Sequence, residues 1–218
     1  MLNQPIRDEV MRRALRLEEE CHPAVAERHA DELARYARLT SACDALESFN
    51  GLRPSADEDA FYLLAQRRSQ IADMLAQANL EAFEQEAESG IYLAIPYFAR
   101  CSDKQPVWLV NRTAQRITYI RQSLYAFAST DDGVDEYRAA GNAFVDGVAA
   151  GAVIGPGQKL KIDTYLMSWD GDFVSNRRIV LLIEGERGEW FASISKLAGY
   201  LWDKQLHGLH LLNMVKSL

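Results

Sequence analysis

The sequence is poor in the residues that do chemistry. Its three cysteines, Cys21, Cys43 and Cys101, are an odd number, widely spaced and without a CxxC pair, which argues against a disulfide framework and a zinc ribbon. Reduced, packed thiols are expected instead. There are four histidines, none of them between residues 91 and 195. Neither Gly-x-Ser-x-Gly nor His-Glu-x-x-His occurs, so nucleophilic and zinc-hydrolase chemistry find no support. Gly151 to Lys159 is glycine-rich, but a phosphate loop needs Gly-Lys-Ser/Thr opening a helix, and Lys159 opens a strand-like run. No run approaches the roughly 18 apolar residues of a membrane span. Met1-Leu2-Asn3-Gln4-Pro5-Ile6-Arg7-Asp8 lacks the basic-then-apolar order of a signal peptide, so a cytoplasmic location is expected.

What is present suits a folded chain. Of 218 residues, 48% are hydrophobic and 25% charged, enough for one large domain or two small ones. Charge is distributed unevenly. Residues 1–90 hold 18 acidic and 10 basic side chains, a net of −8, and residues 91–218 hold 13 acidic and 14 basic, a net of +1.

The acidic half is periodic at helical spacing. Ile6, Val10, Ala14, Leu17, Cys21, Val25, His29, Leu33, Tyr36, Thr40, Cys43 and Leu46 step by three or four and share a stripe. Pro23 sits in that stripe and predicts either a kink or a break between two helices. Asn50 to Ser55 reads as a stop and restart, with Ser55 as a cap and Asp57, Glu58 and Asp59 near the positive helix end. A second long helix follows, its stripe formed by Phe61, Leu64, Ile71, Met74, Leu75, Ala78 and Ala82, ending near Gly90. Two long helices on a short link predict an αα-hairpin.

At Gly90 the period falls to two. Ile91 to Phe98 is rich in β-formers, and Pro96 pushes it toward a sheet edge or strand end. Further strands are expected at 106–111, 115–127, 142–148, 159–166, 179–183 and 189–194, with 129–133 and 151–157 as loops. The stretch from Gly155 to Ile183 reads most plainly: a Gly-Pro-Gly turn and an alternating strand, then Asp170-Gly171 as a tight hairpin turn before a second β-rich run. Alternation places Leu160, Ile162, Thr164 and Leu166 inward, and Lys159, Lys161, Asp163 and Tyr165 outward. The tail, 196–218, returns to helical spacing through Leu197, Leu201, Gly208, Leu212 and Val215.

The predicted fold class is therefore α+β. It comprises an acidic helical hairpin over 1–90, an antiparallel β-sandwich over 91–195 and an apolar C-terminal helix over 196–218. In pattern, Val107-Trp108-Leu109-Val110-Asn111 followed by Gly155-Pro156-Gly157 and an alternating strand looks like an immunoglobulin-like sandwich. No Cys-Trp-Cys arrangement accompanies it, so it indicates an architecture rather than a family.

Each candidate for chemistry has a plainer competitor. Cys21, His29 and Cys43 share a stripe, but lie eight and fourteen residues apart, too far along a helix to enclose one ion. Asp131, Asp132, Asp135 and Glu136 could hold calcium, yet lack the alternating oxygen ligands and terminal Glu of an EF-hand loop. Asp163 and Asp170 are carboxylates for acid–base work only if a pocket brings them together. His207 and His210 lie three apart in an apolar tail and are read as packing or surface residues. Arg112, Arg116, Tyr119, Arg121 and Tyr125, with Arg177 and Arg178, mix basic and aromatic side chains. A half netting only +1 favours a solvent face over direct nucleic-acid binding.

With no catalytic residues assigned and no cofactor or metal expected, the preferred reading is a non-enzymatic protein–protein interaction module. Its concrete form is an inhibitor or regulator of a larger, basic, nucleic-acid-handling assembly. Glu18, Glu19 and Glu20 would meet a basic partner, and Tyr200 and Trp202 would anchor a partner or a homodimer through the C-terminal helix. The competing reading is a small-molecule enzyme with a carboxylate site between the helical and β halves.

Overall fold

The computed structural model describes residues 21–48, 55–98, 101–130, 133–140, 150–166, 174–194 and 211–217. The chain forms two compact units, Met1–Ala82 with Tyr97–Ser102, and Phe83–Pro96 with Asp103–Leu218. It passes from one to the other after residues 82, 96 and 102.

The first unit is helical: α1 (Pro23–Arg28), α2 (Ala30–Ser48) and most of α3 (Ser55–Glu86). Pro23 opens α1, where its missing N–H removes no intrahelical bond, and residues 21 and 22 before it are not helical; the helix expected ahead of it lies outside the described residues. His22 caps that helix, its Nδ1 accepting from the Ala24 N–H at 3.3 Å. His29 separates α1 from α2, yet its N–H still donates to Val25 O and its carbonyl accepts from Leu33, so the stripe continues through the break. Val25, Leu33, Tyr36 and Ala37 pack with Ala72, Leu75 and Ala76 of α3 in one buried cluster. Phe98 joins that cluster from the 97–102 segment, its ring 5.2 Å from Tyr36 and edge-on to it.

Polar side chains of α3 hold the chain segments around this core. Asn79 Oδ1 accepts from the His22 N–H at 3.0 Å. Asp73 accepts from the Ser102 N–H at 2.7 Å and from the Ser102 hydroxyl. Phe98, Cys101 and Ser102 thus belong with the helical unit although they lie between two strands of the other unit.

The second unit is built of antiparallel strands: β1 (Ile91–Ala94), β2 (Lys104–Asn111), β3 (Ile117–Thr130), β4 (Gly133–Ala140), β5 (Val153–Ile154), β6 (Lys159–Leu166), β7 (Val174–Ile183), β8 (Glu186–Ile194), β9 (Leu211–Asn213) and β10 (Val215–Lys216). A smaller sheet runs β6-β2-β1-β9, and a larger one runs β10-β8-β7-β3-β4 with β5 also on β3. One buried cluster draws on both, through Leu93, Val107, Leu109 and Ile162 of the smaller sheet and Ile117, Ile179, Leu181 and Trp190 of the larger. Asn111 pins the turn after β2. Its amide donates to Gln115 O and Ile154 O at 2.7 and 3.0 Å, and its Oδ1 accepts from Thr113 N–H and Oγ1–H.

Several expectations are corrected. Residues 211–216 are strand, not helix: β9 pairs β1, β10 pairs β8, and buried Met214 stands where the chain changes sheet. Pairing with β1 and β8 satisfies backbone groups on those two strands that a helix laid on the surface would leave open. Residues 195–210 lie outside the described residues, and with them Leu197, Leu201, Gly208, His207 and His210. β6 and β7 belong to different sheets and so do not pair as the expected hairpin, while the turn expected at Asp170-Gly171 lies outside the described residues. The two-residue turn is instead Glu184-Gly185, both at positive φ, 52° and 84°, joining β7 to β8. Residues 129–133 are not a loop throughout, since β3 runs to Thr130 and β4 starts at Gly133, which places Asp135 and Glu136 in a strand. Asp131, Asp132 and the strand expected at 142–148 lie outside the described residues.

The alternation along β6 breaks in its middle. Val107 pairs Asp163 while Trp108 pairs Lys161, so Ile162 is an extra residue, and the bulge reverses the phase beyond it. Ile162 is buried as expected, but so are Asp163 and Tyr165.

Candidate functional site

That bulge turns a carboxylate into the space between the sheets. Asp163, 4% exposed, accepts a hydrogen bond from Arg177 Nη1 of β7, itself 2% exposed, and the pair ties the smaller sheet to the larger. Its other oxygen accepts from the Thr164 N–H at 2.7 Å. Gln122, also buried, donates its amide to the carbonyl of bulged Ile162 at 2.8 Å, serving a group that a bulge frees from the ladder.

A matching irregularity on β3 places Gln122. Tyr119 pairs Leu181 and Arg121 pairs Val180, leaving Ile120 as the extra residue. Tyr119 is therefore inward before the bulge and Gln122 inward after it, while Arg121 faces solvent. Burial pushes the Tyr119 phenol up to about 12; the Asp163 carboxylate adds to the rise and the Arg177 guanidinium opposes it. Tyr119 is thus a neutral member of a buried polar group with Asp163, Arg177, Gln122 and Ser175. A carboxylate with both oxygens engaged inside the protein is arranged for holding strands together rather than for moving protons.

The opposite face of the larger sheet is arranged differently. Arg178 is exposed, lies over the Phe191 ring at 4.9 Å and reaches Glu189 at 3.5 Å. Ser123 pairs Arg178, which pairs Phe191, so these positions form one row across three strands. Tyr125 and Phe127, half-buried and two residues apart on β3, have ring centroids 5.9 Å apart. With exposed Arg121, this face carries two guanidiniums and three aromatic rings.

On the smaller sheet, Lys159 bonds both carboxylate oxygens of Glu84, at 3.0 and 3.2 Å, and lies 5.5 Å from the Trp108 ring. This partly buried cluster fixes the last turn of α3 and offers no free acid or base.

The basic and aromatic residues grouped in the sequence are thus sorted by the fold. Tyr119 and Arg177 are interior; Arg121, Arg178 and Arg116 are exposed; Arg112 and Tyr125 are half-buried. Asp163 and Asp170 are not brought together in what is described, since Asp170 falls among residues 167–173. Glu18, Glu19, Glu20, Tyr200 and Trp202 also lie outside the described residues. No cluster of three potential metal ligands occurs among the described residues. Cys21 and Cys43 are buried and Cys101 half-buried, and none of them is in a disulfide. Sequence reasoning missed the Asp163–Arg177 pair and the aromatic partners Phe127 and Phe191. The pair was hidden by the bulges, whereas the alternation in Ser175-Asn176-Arg177-Arg178-Ile179 could have shown Arg177 and Arg178 on opposite faces.

No family model and no curated protein matches the chain. Among solved structures, the chain is similar to one described as ApaA from Bordetella pertussis, at 14% identity and a TM-score of 0.28, over 50% of this chain and 93% of that one. It is also similar to the Pseudomonas fluorescens alkylpurine DNA glycosylase AlkC bound to DNA containing an abasic site analog. That likeness has 12% identity and a TM-score of 0.18, over 74% of this chain and 47% of that one. At such scores neither likeness bears on fold or function.

Proposed function

We propose that the chain is a non-enzymatic protein-binding module, an acidic helical hairpin joined to a β-sandwich, acting in a larger assembly. The observation that carries this reading is the exposed face of the larger sheet, where Arg121, Arg178, Tyr125, Phe127 and Phe191 gather. Arginine and aromatic side chains supply most interface hot spots, because they bury much area and still offer directed polar contacts. Asp163, the one buried carboxylate among the described residues of that unit, is engaged by Arg177 and Thr164 instead of standing in an open cleft, which weighs against the enzyme reading.

The acidic excess of residues 1–90 supports a second contact with a basic surface, as on a nucleic-acid-handling assembly, with Glu18, Glu19 and Glu20 on the encounter face. The test is affinity capture of partners by the full chain, followed by Kd measurement for the captured partner with Arg121→Glu/Arg178→Glu. The expected result is binding weaker by about tenfold or more with unchanged thermal stability. Unchanged binding by that variant would remove the sheet face from the account. Reversal of Glu18, Glu19 and Glu20 is expected to slow association and flatten its salt dependence, and an unaltered on-rate would exclude those residues.

A further inference from the structure

Three atoms of the buried polar group have no hydrogen-bond partner among the described residues: Gln122 Oε1, Ser175 Oγ and Arg177 Nε. Their residues are 4%, 4% and 2% exposed, so bulk solvent does not serve them. By register they lie in one row, with Arg177 between the other two. Gln122 pairs Ile179 while Arg177 and Ser175 follow at the next inward positions of β7, opposite Leu124 and Ala126. All three are interior on two adjacent strands, beside the Asp163–Arg177 pair. Asn111, equally buried in the same unit, has its amide N–H and carbonyl groups engaged, so the sheets can satisfy a buried amide where its surroundings are protein alone.

Unmade hydrogen bonds at this depth are costly, and orphan polar atoms inside proteins are commonly bridged by a bound molecule. We propose that the space beside Arg177 is a binding site for a small neutral molecule that both accepts and donates hydrogen bonds. Arg177 Nε–H requires an acceptor, Gln122 Oε1 requires a donor, and the Ser175 hydroxyl serves as either. Neutrality follows from the pair already present, since Asp163 and Arg177 compensate each other and a third charge would be desolvated without a counter-ion. Ordered water is the smallest ligand with this chemistry, and a compact carboxamide or polyol carries the same pattern.

A crystal structure of the full chain, grown without polyols or amides and at a resolution showing ordered water, separates these sources. Density bonded to Arg177 Nε and to at least one of Gln122 Oε1 and Ser175 Oγ is expected. If it is a single oxygen, water fills the site, and magnetic relaxation dispersion of Ser175→Ala should count about one long-lived water fewer than the parent. If it is larger, mass spectrometry of the molecule released on denaturation identifies it, and Ser175→Ala should retain it about tenfold less tightly. The proposal is overturned if the three atoms bond other protein groups, if no density bridges them, or if Ser175→Ala leaves the occupant unaffected.

Discussion

The two units use buried and half-buried polar side chains in different ways. In the helical unit Asn79 and Asp73 each reach from α3 to backbone elsewhere, at His22 and Ser102, and hold chain segments against an apolar core that includes Ala37, Ala72 and Ala76. In the β unit Asp163, Arg177 and Gln122 join strand to strand inside the core itself. A buried neutral amide such as Asn79, or a half-buried carboxylate such as Asp73, loses its partner at less cost than a charge in the middle of a core, which has no solvent to turn to.

The largest effect should come from breaking that central pair. Asp163→Ala or Arg177→Ala alone is expected to cost about 3–5 kcal/mol in denaturant unfolding, because each leaves its partner charged and buried. Asp163→Leu/Arg177→Met should cost far less than the sum of the single changes. Additive losses would mean that the two charges do not depend on each other. In the helical unit the comparable change is Phe98→Ala, also about 3–5 kcal/mol, through loss of a ring packed on Tyr36. Hydrogen exchange should place that loss in α2 and α3 and leave β7 and β8 protected; general loss of protection would deny the units their separate cores.

A smaller effect distinguishes the units by pH. The Tyr119 phenol is raised from 10.0 to about 12, so the folded state holds its proton where the unfolded chain has released it. Its contribution is full below about pH 10 and is lost as pH rises toward 12. Tyr119→Phe should therefore flatten the fall in unfolding midpoint over that window, and an unchanged slope would place the phenol in water.

The smallest effect belongs to the β7–β8 turn. Glu184 holds φ 52°, a region that Asn or Gly occupies at less cost. Glu184→Asn is expected to raise stability by about 1 kcal/mol or less, read as a higher melting temperature.

Legibility in the sequence divides along the same line. The helical stripe could be read because neighbours three and four apart define it locally, and Val25, Leu33, Tyr36 and Cys43 are buried on it. Alternation likewise found β2, β3, β6 and β8 approximately. It did not find the bulges at Ile162 and Ile120, since a bulge is defined by the partner strand's register and not by the strand that carries it. Asp163 was accordingly assigned to solvent. The tail misled for a related reason: Leu211-Leu212-Asn213-Met214-Val215 fits helical spacing and a strand equally well, and pairing with β1 and β8 decides between them. Phe98 was read with a β-run, although its ring belongs to the helical core.

The central claim is that the exposed face of the larger sheet, and not the buried Asp163–Arg177 pair behind it, meets the protein partner. Hydrogen exchange of the full chain, alone and with its captured partner, tests this most directly, because Arg121, Arg178 and Phe191 report one face of three adjacent strands. The account predicts added protection concentrated in β3, β7 and β8, and its loss in Arg121→Glu/Arg178→Glu. Added protection confined to the helical unit, with those strands unchanged, would contradict it.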